Sequence, residues 1–385
     1  MLFHKKIDEI SEKDINNIVG NEVFEDKYLE YKSEYNHSDK IKFKLIKTVC
    51  GFANSDGGLL IYGITEDENH TPSEVTGGVK LDSSFDNEVN WIESIVSSNS
   101  EPSISNIEIR QIEIKESDRI ILIIKVPKSW NLPHRVVQGK PNKKSESKRE
   151  FFVRRQSKTV PLEIDELKNL FSFAGDVHDK IHLFRDNQIA KVVSDNVFIC
   201  TDSQIALLID LIPFNSFNNV EFDIRETKDQ VPTFGQGDSR YGEYNFEGVI
   251  SKSMIHYSQI YRNGIIEGLV SSNRFLKVPL KEFFEYTLNF INDSIKLYEK
   301  INFSPPFAIF ISLINIENRN LETLFFDKEA ISDRNVLPGH EIMIEKYLSK
   351  NEIAFKLKTV FDSFYNHFGI ENSPFYDEEG NWKKK

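Results

Sequence analysis

Cysteine is scarce in this chain. Only Cys50 and Cys200 occur among 385 residues. They make no metal-type spacing and sit in apolar surroundings, so a disulfide framework and a cysteine-ligated metal site are both excluded. Buried thiols in a reducing compartment are expected. No apolar run approaches the ~18 residues of a membrane-spanning helix. The opening MLFHKKIDEISEKD also lacks the apolar core of a secretory signal. These absences point to a cytoplasmic protein with no membrane partner. No Walker sequence is present: Gly235-Gln236-Gly237 has neither a strand before it nor a Lys-Ser/Thr after it. A nucleophile elbow and a Cys/His pair are missing too. His178 and His182 would share a helix face if residues 177–184 were helical. No acidic or cysteine partner lies near them in sequence, so zinc is not expected there.

Basic residues are in deficit as well, 48 against 60 acidic, for a net charge of −12. That balance argues against a general affinity for nucleic acid, but the distribution matters more than the sum. Residues 135–158 hold nine bases (Arg135, Lys140, Lys143, Lys144, Lys148, Arg149, Arg154, Arg155 and Lys158) against Glu146 and Glu150, or +7 in 24 residues. A focused strip of this kind attracts phosphate while the remaining surface repels it. The alternative is a solvated loop beside a strand. Arg154 and Arg155 alternate on one strand, so one of them points away from the core. Phosphate contact by Arg154 or Arg155 is expected, helped by Lys143, Lys144 and Lys148. Few aromatics interleave, so base-specific readout is not supported.

The length suggests two domains, 1–174 and 175–385. In the first, the pattern predicts an amphipathic lead-in over 7–19, a strand over 28–32 and a Ser38-capped helix to about 53. A buried strand over 59–64, a helix over 82–97, and strands over 104–114, 119–126 and 151–155 follow. A helix over 161–173, with Pro161 in its first turn, closes the domain. Mixed strands and helices in this order predict an α+β sandwich followed by a second α+β domain. There, strand-like segments are expected over 181–199, a helix over 203–212 and a type I′ hairpin at Asn263-Gly264. Helices over 280–301 and 352–368 and a strand over 307–316 complete the reading.

The chemistry concentrates between Glu25 and Asp67. Glu25, Glu30, Glu66 and Asp67 bracket an apolar helix, the pair Gly57-Gly58 and an apolar strand. The glycines permit a tight turn that can bring both ends of the segment together. Carboxylates that converge repel one another, and a hard divalent cation, Mg²⁺ or Mn²⁺, is the usual reason to tolerate it. Lys32 lies two residues beyond Glu30, on the same strand face. It is a candidate to stabilise developing negative charge or to orient a water. The competing reading makes these residues ordinary solvated carboxylates at exposed strand ends.

The same residues carry a family resemblance. Glu25-x4-Glu30-Tyr31-Lys32, then Gly51-Phe52-Ala53-Asn54-Ser55-Asp56-Gly57-Gly58, then Leu60-Ile61-Tyr62-Gly63-Ile64 resembles the Schlafen AlbA_2 domain. A second block, FFVRRQSKTVP at 151–161, resembles the family's closing strand. The resemblance covers roughly 20–173. Gly51 stands where Ala is common, and Gln156 replaces a usual Gly. The resemblance implies a metal-dependent endoribonuclease acting on structured RNA such as tRNA, in bacterial defence against phage, with Glu25, Glu30 and either Glu66 or Asp67 as the acidic set. A nucleic-acid-binding regulator of DNA or RNA without catalysis is the alternative. Family cores with two lobes form a groove. With one set of motifs here, a homodimer would supply the second lobe by symmetry, the alternative being a monomer whose second domain forms the other wall.

Overall fold

Alternating apolar residues in the first half build two small sheets with a helix between them. A computed structural model of the chain describes residues 2–383 apart from 67–70, 76–77, 82, 105, 115–116, 138–149, 200, 202–203, 218–221, 236–241, 273–276, 302, 323–329, 378–379 and 381. The chain divides into two units, Met1–Asp176 and Val177–Lys385.

The first unit opens with helix α1 (Glu12–Gly20), followed by β1 (Leu29–Lys32) and α2 (Asp39–Ala53). Ser38 caps α2 through the Ile41 N–H, as its position before the apolar run predicts. Next come β2 (Gly58–Tyr62), β3 (Thr65–Glu66), β4 (Pro72–Glu74), α3 (Phe85–Asn99) and β5 (Ser100–Glu101). The unit continues through β6 (Glu108–Glu113), β7 (Ile120–Val126), β8 (Arg135–Val136), β9 (Glu150–Arg155) and β10 (Lys158–Pro161). One sheet runs β1-β2-β7-β6 and a second runs β10-β9-β8-β5. β1 and β2 pair in parallel with α2 as their crossover, and the remaining pairings are antiparallel.

Period-two alternation sorts the residues of the first sheet. Leu29, Tyr31, Leu59, Ile61, Ile121 and Ile123 pack under Ile10, Ile15 and Ile18 at the N-terminus. Leu60, Tyr62, Leu122 and Ile124 face α2 and α3. The turn from α2 into β2 needs its glycines. Gly57 has φ 79°, and a Cβ on Gly58 would come within 2.2 Å of the Phe52 ring.

Helix α4 (Ile164–Val193) departs from expectation. Pro161 ends β10 instead of opening the helix. The predicted break near Gly175 and the strand character after 181 are replaced by one continuous helix, in which Val177, Ile181, Gln188 and Val192 form a buried stripe at helical spacing. The second unit then adds β11 (Ile205–Pro213), β12 (Glu243–Tyr244), β13 (Gly248–Lys252), β14 (His256–Tyr261), β15 (Ile266–Ser272) and β16 (Lys277–Val278). After α5 (Leu280–Lys300) come β17 (Phe307–Ile314), β18 (Asn320–Leu321), β19 (Val336–Pro338), β20 (Ile342–Ile344) and α6 (Lys350–His367). Its main sheet has the order β12-β13-β14-β15-β11-β17-β19, with β20 also on β17.

The helix expected over 203–212 is instead β11, buried along its whole length at the centre of that sheet. Helix propensities differ by at most about 0.7 kcal/mol among such residues. Full burial of a Leu or Ile contributes about 1.5–3 kcal/mol, so two-sided burial decides the outcome. The hairpin at Asn263-Gly264 forms, but only Gly264 has positive φ (85°), and its N–H closes a turn onto the Tyr261 carbonyl. That geometry is a type I turn with a glycine bulge, not type I′. Among the described residues, no helix is long and apolar enough to cross a membrane.

Inside this sheet Asp210 lies opposite Glu267. Tyr257 and Tyr261 donate to the Glu267 carboxyl at 2.6 and 3.3 Å, while the Asp210 oxygens meet no donor except through a proton shared with the Glu267 carboxyl beside them. Burial, reinforced by the like charge of Glu267, holds the Asp210 carboxyl well above its ordinary range, and burial raises Glu267 too. Above about pH 4 the unfolded carboxyls release protons that the folded pair retains, so stability falls as pH rises. Asp210→Asn offers an amide donor to Glu267. It should raise unfolding free energy by about 1.5 kcal/mol near pH 7, with the gain fading toward pH 4. Parallel stability curves for wild type and variant, measured by urea unfolding across that range, would refute the shared-proton pair.

Candidate active site of the first unit

β1 reads Leu-Glu-Tyr-Lys, and its alternation sends Leu29 and Tyr31 into the N-terminal core. Glu30 and Lys32 therefore project to the other face, toward α2. Glu25 folds back on the start of the strand, its Oε1 accepting the Tyr31 N–H at 2.7 Å. Lys32 Nζ lies 2.8 Å from Glu30 Oε1 and 3.8 Å from Glu25 Oε1, and donates to the Tyr31 carbonyl at 2.7 Å. The two carboxylates thus converge, with an ammonium between them.

Behind them stands Arg154 of β9. One guanidinium nitrogen donates to Glu30 Oε2, and another lies 3.8 Å from Glu25 Oε2. The same group donates to the Leu29 carbonyl at 2.9 Å and to the Asp26 carbonyl at 3.1 and 3.2 Å, and lies 5.2 Å over the Phe52 ring. Thr48 of α2 adds a hydroxyl donor to Glu30 Oε1 at 3.2 Å. The side chains of Arg154 and Glu30 are 1% and 8% exposed, whereas Lys32 is 30% exposed. Arg154 forms the closed floor of the site, and Lys32 its solvent side.

This placement corrects two expectations. Glu30 is buried and ion-paired instead of solvated at a strand end. Arg154 points inward with its donors satisfied, so it does not present them to a phosphate, and Arg155 is the arginine that faces outward. Arg155 pairs with Glu166, and Arg135 pairs with Glu101 at 2.6 Å. Lys158 is exposed on β10. Lys143, Lys144, Lys148 and Arg149 lie outside the described residues, as does Asp67; Glu66 is placed in β3, beside β1, without a described side chain.

A hard divalent ion takes carboxylate oxygens. Lys32 Nζ occupies a position between Glu25 Oε1 and Glu30 Oε1 that a bridging cation could share once the lysine swings outward. Glu25 and Glu30 are of the ligand type such an ion takes. Among the described residues, no third carboxylate oxygen joins them.

The residues that hold β9 in place form a second layer. Asn54 Nδ2 donates to the His134 and Phe152 carbonyls at 2.7 and 2.8 Å, and its Oδ1 accepts the His134 N–H at 2.7 Å. Ser55 Oγ accepts the Arg154 N–H at 2.9 Å. Both residues stand in the 51–58 block of the family resemblance, where nothing local shows their role. Thr48, a lone hydroxyl among apolar neighbours on α2, was the one local sign of a polar site under that helix. The departures at Gly51 and Gln156 also find a setting. A Cβ at Gly51 would come within 2.6 Å of Thr159, and Gln156 adopts φ 48° in the β9–β10 turn.

Removing one member of a buried ion pair strands the other charge. Glu30→Gln should therefore destabilise the protein by about 3 kcal/mol, whereas Glu30→Gln combined with Arg154→Met should recover part of that loss. Urea unfolding of the three proteins checks it, and an unchanged midpoint for Glu30→Gln would show that Arg154 does not depend on Glu30.

The family model for the Schlafen AlbA_2 domain matches residues 25–163. No curated protein matches the chain. Among solved structures, the DIP2311 protein of Corynebacterium diphtheriae is 15% identical over 39% of this chain and 26% of its own length, with a TM-score of 0.25. So small a likeness carries no argument. Residues 25–163, which contain the Glu25–Glu30–Lys32–Arg154 cluster, are a Schlafen AlbA_2 domain.

Proposed function

We propose that the first unit is a divalent-metal-dependent endoribonuclease for structured RNA such as tRNA, working in the cytoplasm in defence against phage. The observation that carries this reading is the convergence of Glu25 and Glu30 on Lys32, 3.8 and 2.8 Å from its ammonium. The defence setting rests on the family alone. Mg²⁺ or Mn²⁺ held by Glu25, Glu30 and Glu66 or Asp67 would supply Lewis-acid stabilisation of the phosphate and a more acidic water. Lys32, on the open side, would turn toward a phosphate oxygen and offset its growing negative charge. Arg154 is a positioning residue: it fixes the Glu30 carboxylate from behind. Lys143, Lys144 and Lys148, with Arg135, Arg149, Arg155 and Lys158, would track the RNA backbone.

A second reading has its own support. Two cations already neutralise the two carboxylates, a stable arrangement for a domain that binds DNA or RNA without cutting it. Glu25→Gln separates the two, because it keeps the acceptor for the Tyr31 N–H while removing the charge. With purified protein, Mn²⁺ and total tRNA, cleavage by Glu25→Gln should fall at least about 100-fold with RNA binding retained. Equal cleavage by both proteins would sink the active-site assignment, and binding without cleavage by the wild type would favour the second reading. In the same assay Lys143→Glu, Lys144→Glu and Lys148→Glu together should flatten the log–log salt dependence of binding by roughly 0.7–0.9 per lost phosphate contact.

We further propose a two-fold homodimer, which would set two such sites and two basic strips against one folded RNA. Light scattering should give twice the 44.7 kDa chain mass. A monomer mass that persists with RNA present would rule the dimer out.

A further inference from the structure

We propose that His178, His182 and Glu341 form a divalent transition-metal site of the zinc type in the second unit. The fold supplies the partner that the sequence around the histidines lacks, from 159 positions beyond His182. One ligand atom from each of the three lies within 4.8 Å of the others, and His182 Nε2 is 3.4 Å from Glu341 Oε2. Tetrahedral zinc with bonds of about 2.0–2.1 Å spaces its ligands about 3.4 Å apart, so one edge of the site is already set.

Each side chain is held from below. His178 and His182 stand one turn apart on α4 with nearly parallel rings, at 21° and 6.2 Å between centroids. Phe214 packs edge-on against His178 at 5.4 Å, and Phe310 of β17 against His182 at 5.3 Å. Glu341 is placed by Gly339, whose N–H donates to the Ile311 carbonyl of β17 at 2.8 Å. A Cβ at Gly339 would come within 2.4 Å of that oxygen, so the close approach requires glycine. β20 then pins the chain just past Glu341 to the same strand.

A simple His182–Glu341 ion pair would explain only part of this. It leaves Glu341 Oε1 buried with no partner and gives His178 no reason to face the carboxylate. An ion bound by two imidazoles and one carboxylate accounts for all three. Imidazole suits zinc and its neighbours better than Mg²⁺ or Mn²⁺, which separates this site chemically from the carboxylates of the first unit. Three protein ligands leave a fourth position open to water.

The test uses the full-length, metal-stripped protein titrated with Zn²⁺ by calorimetry, and with Co²⁺ followed by visible absorption. One Zn²⁺ should bind per chain, with a tetrahedral Co²⁺ band. Affinity should fall at least about 10-fold, the loss that even outer-shell changes bring, in His182→Ala and in Glu341→Gln. It should hold in His340→Ala, an exposed neighbour, and in Glu25→Gln. Melting of the metal-free variants checks their folding. If His182→Ala fails to fold, Glu341→Gln carries the test. Absence of Zn²⁺ binding would leave only the ion pair and overturn the proposal. Binding that survives both ligand changes, or that disappears in Glu25→Gln, would overturn it as well.

Discussion

The first unit depends on one buried charge. Arg154 brings a guanidinium under a strand of the other sheet, where desolvation costs several kcal/mol unless the charge is fully met. It is met by Glu30, by the carbonyls of Asp26 and Leu29, and by the face of Phe52. These partners come from β1, the loop before it and α2, so satisfying a single side chain fixes how three parts of the unit meet. Burial of apolar area is non-directional and would tolerate small shifts among them. The ion pair and its hydrogen bonds would not.

Much of this unit was legible in the sequence because its determinants are local. Ser38 before an apolar run marks a helix start, Gly57-Gly58 marks the turn, and the alternation of Leu-Glu-Tyr-Lys puts Glu30 and Lys32 on one face. The meeting of Glu25, Glu30 and Lys32 follows from contacts within eight residues. The role of Arg154 does not. Alternation shows that one of Arg154 and Arg155 turns inward but not which, and the partner that decides it lies 124 residues earlier. Asn54 is unreadable for the same reason, since its partners come from other elements.

The second unit shows where pattern reading fails on its own terms. The run Ile-Ala-Leu-Leu-Ile-Asp-Leu-Ile of β11 is apolar at every position but Asp210, so neither a period of 2 nor one of 3.6 can be extracted from it. Only the neighbours β15 and β17 settle it as a strand. In α4 the signal was present, in the spacing of Val177, Ile181, Gln188 and Val192. Gly175, just past the helix end expected at 173, does not oppose it: a Cβ there would meet open space, so glycine reflects no steric need for a break.

Asn54 illustrates how a signature residue can serve architecture. Its amide closes three hydrogen bonds to the backbone, two to His134 just before β8 and one to Phe152 in β9, and so sets the height at which Arg154 arrives beneath Glu30. No nucleic acid or ion needs to touch it. In a genetic screen scored by phenotype alone, Asn54 would group with Glu25 and Lys32, although its loss acts through the scaffold. A heat-sensitive allele at Asn54, active at low temperature, would be the mark of that difference.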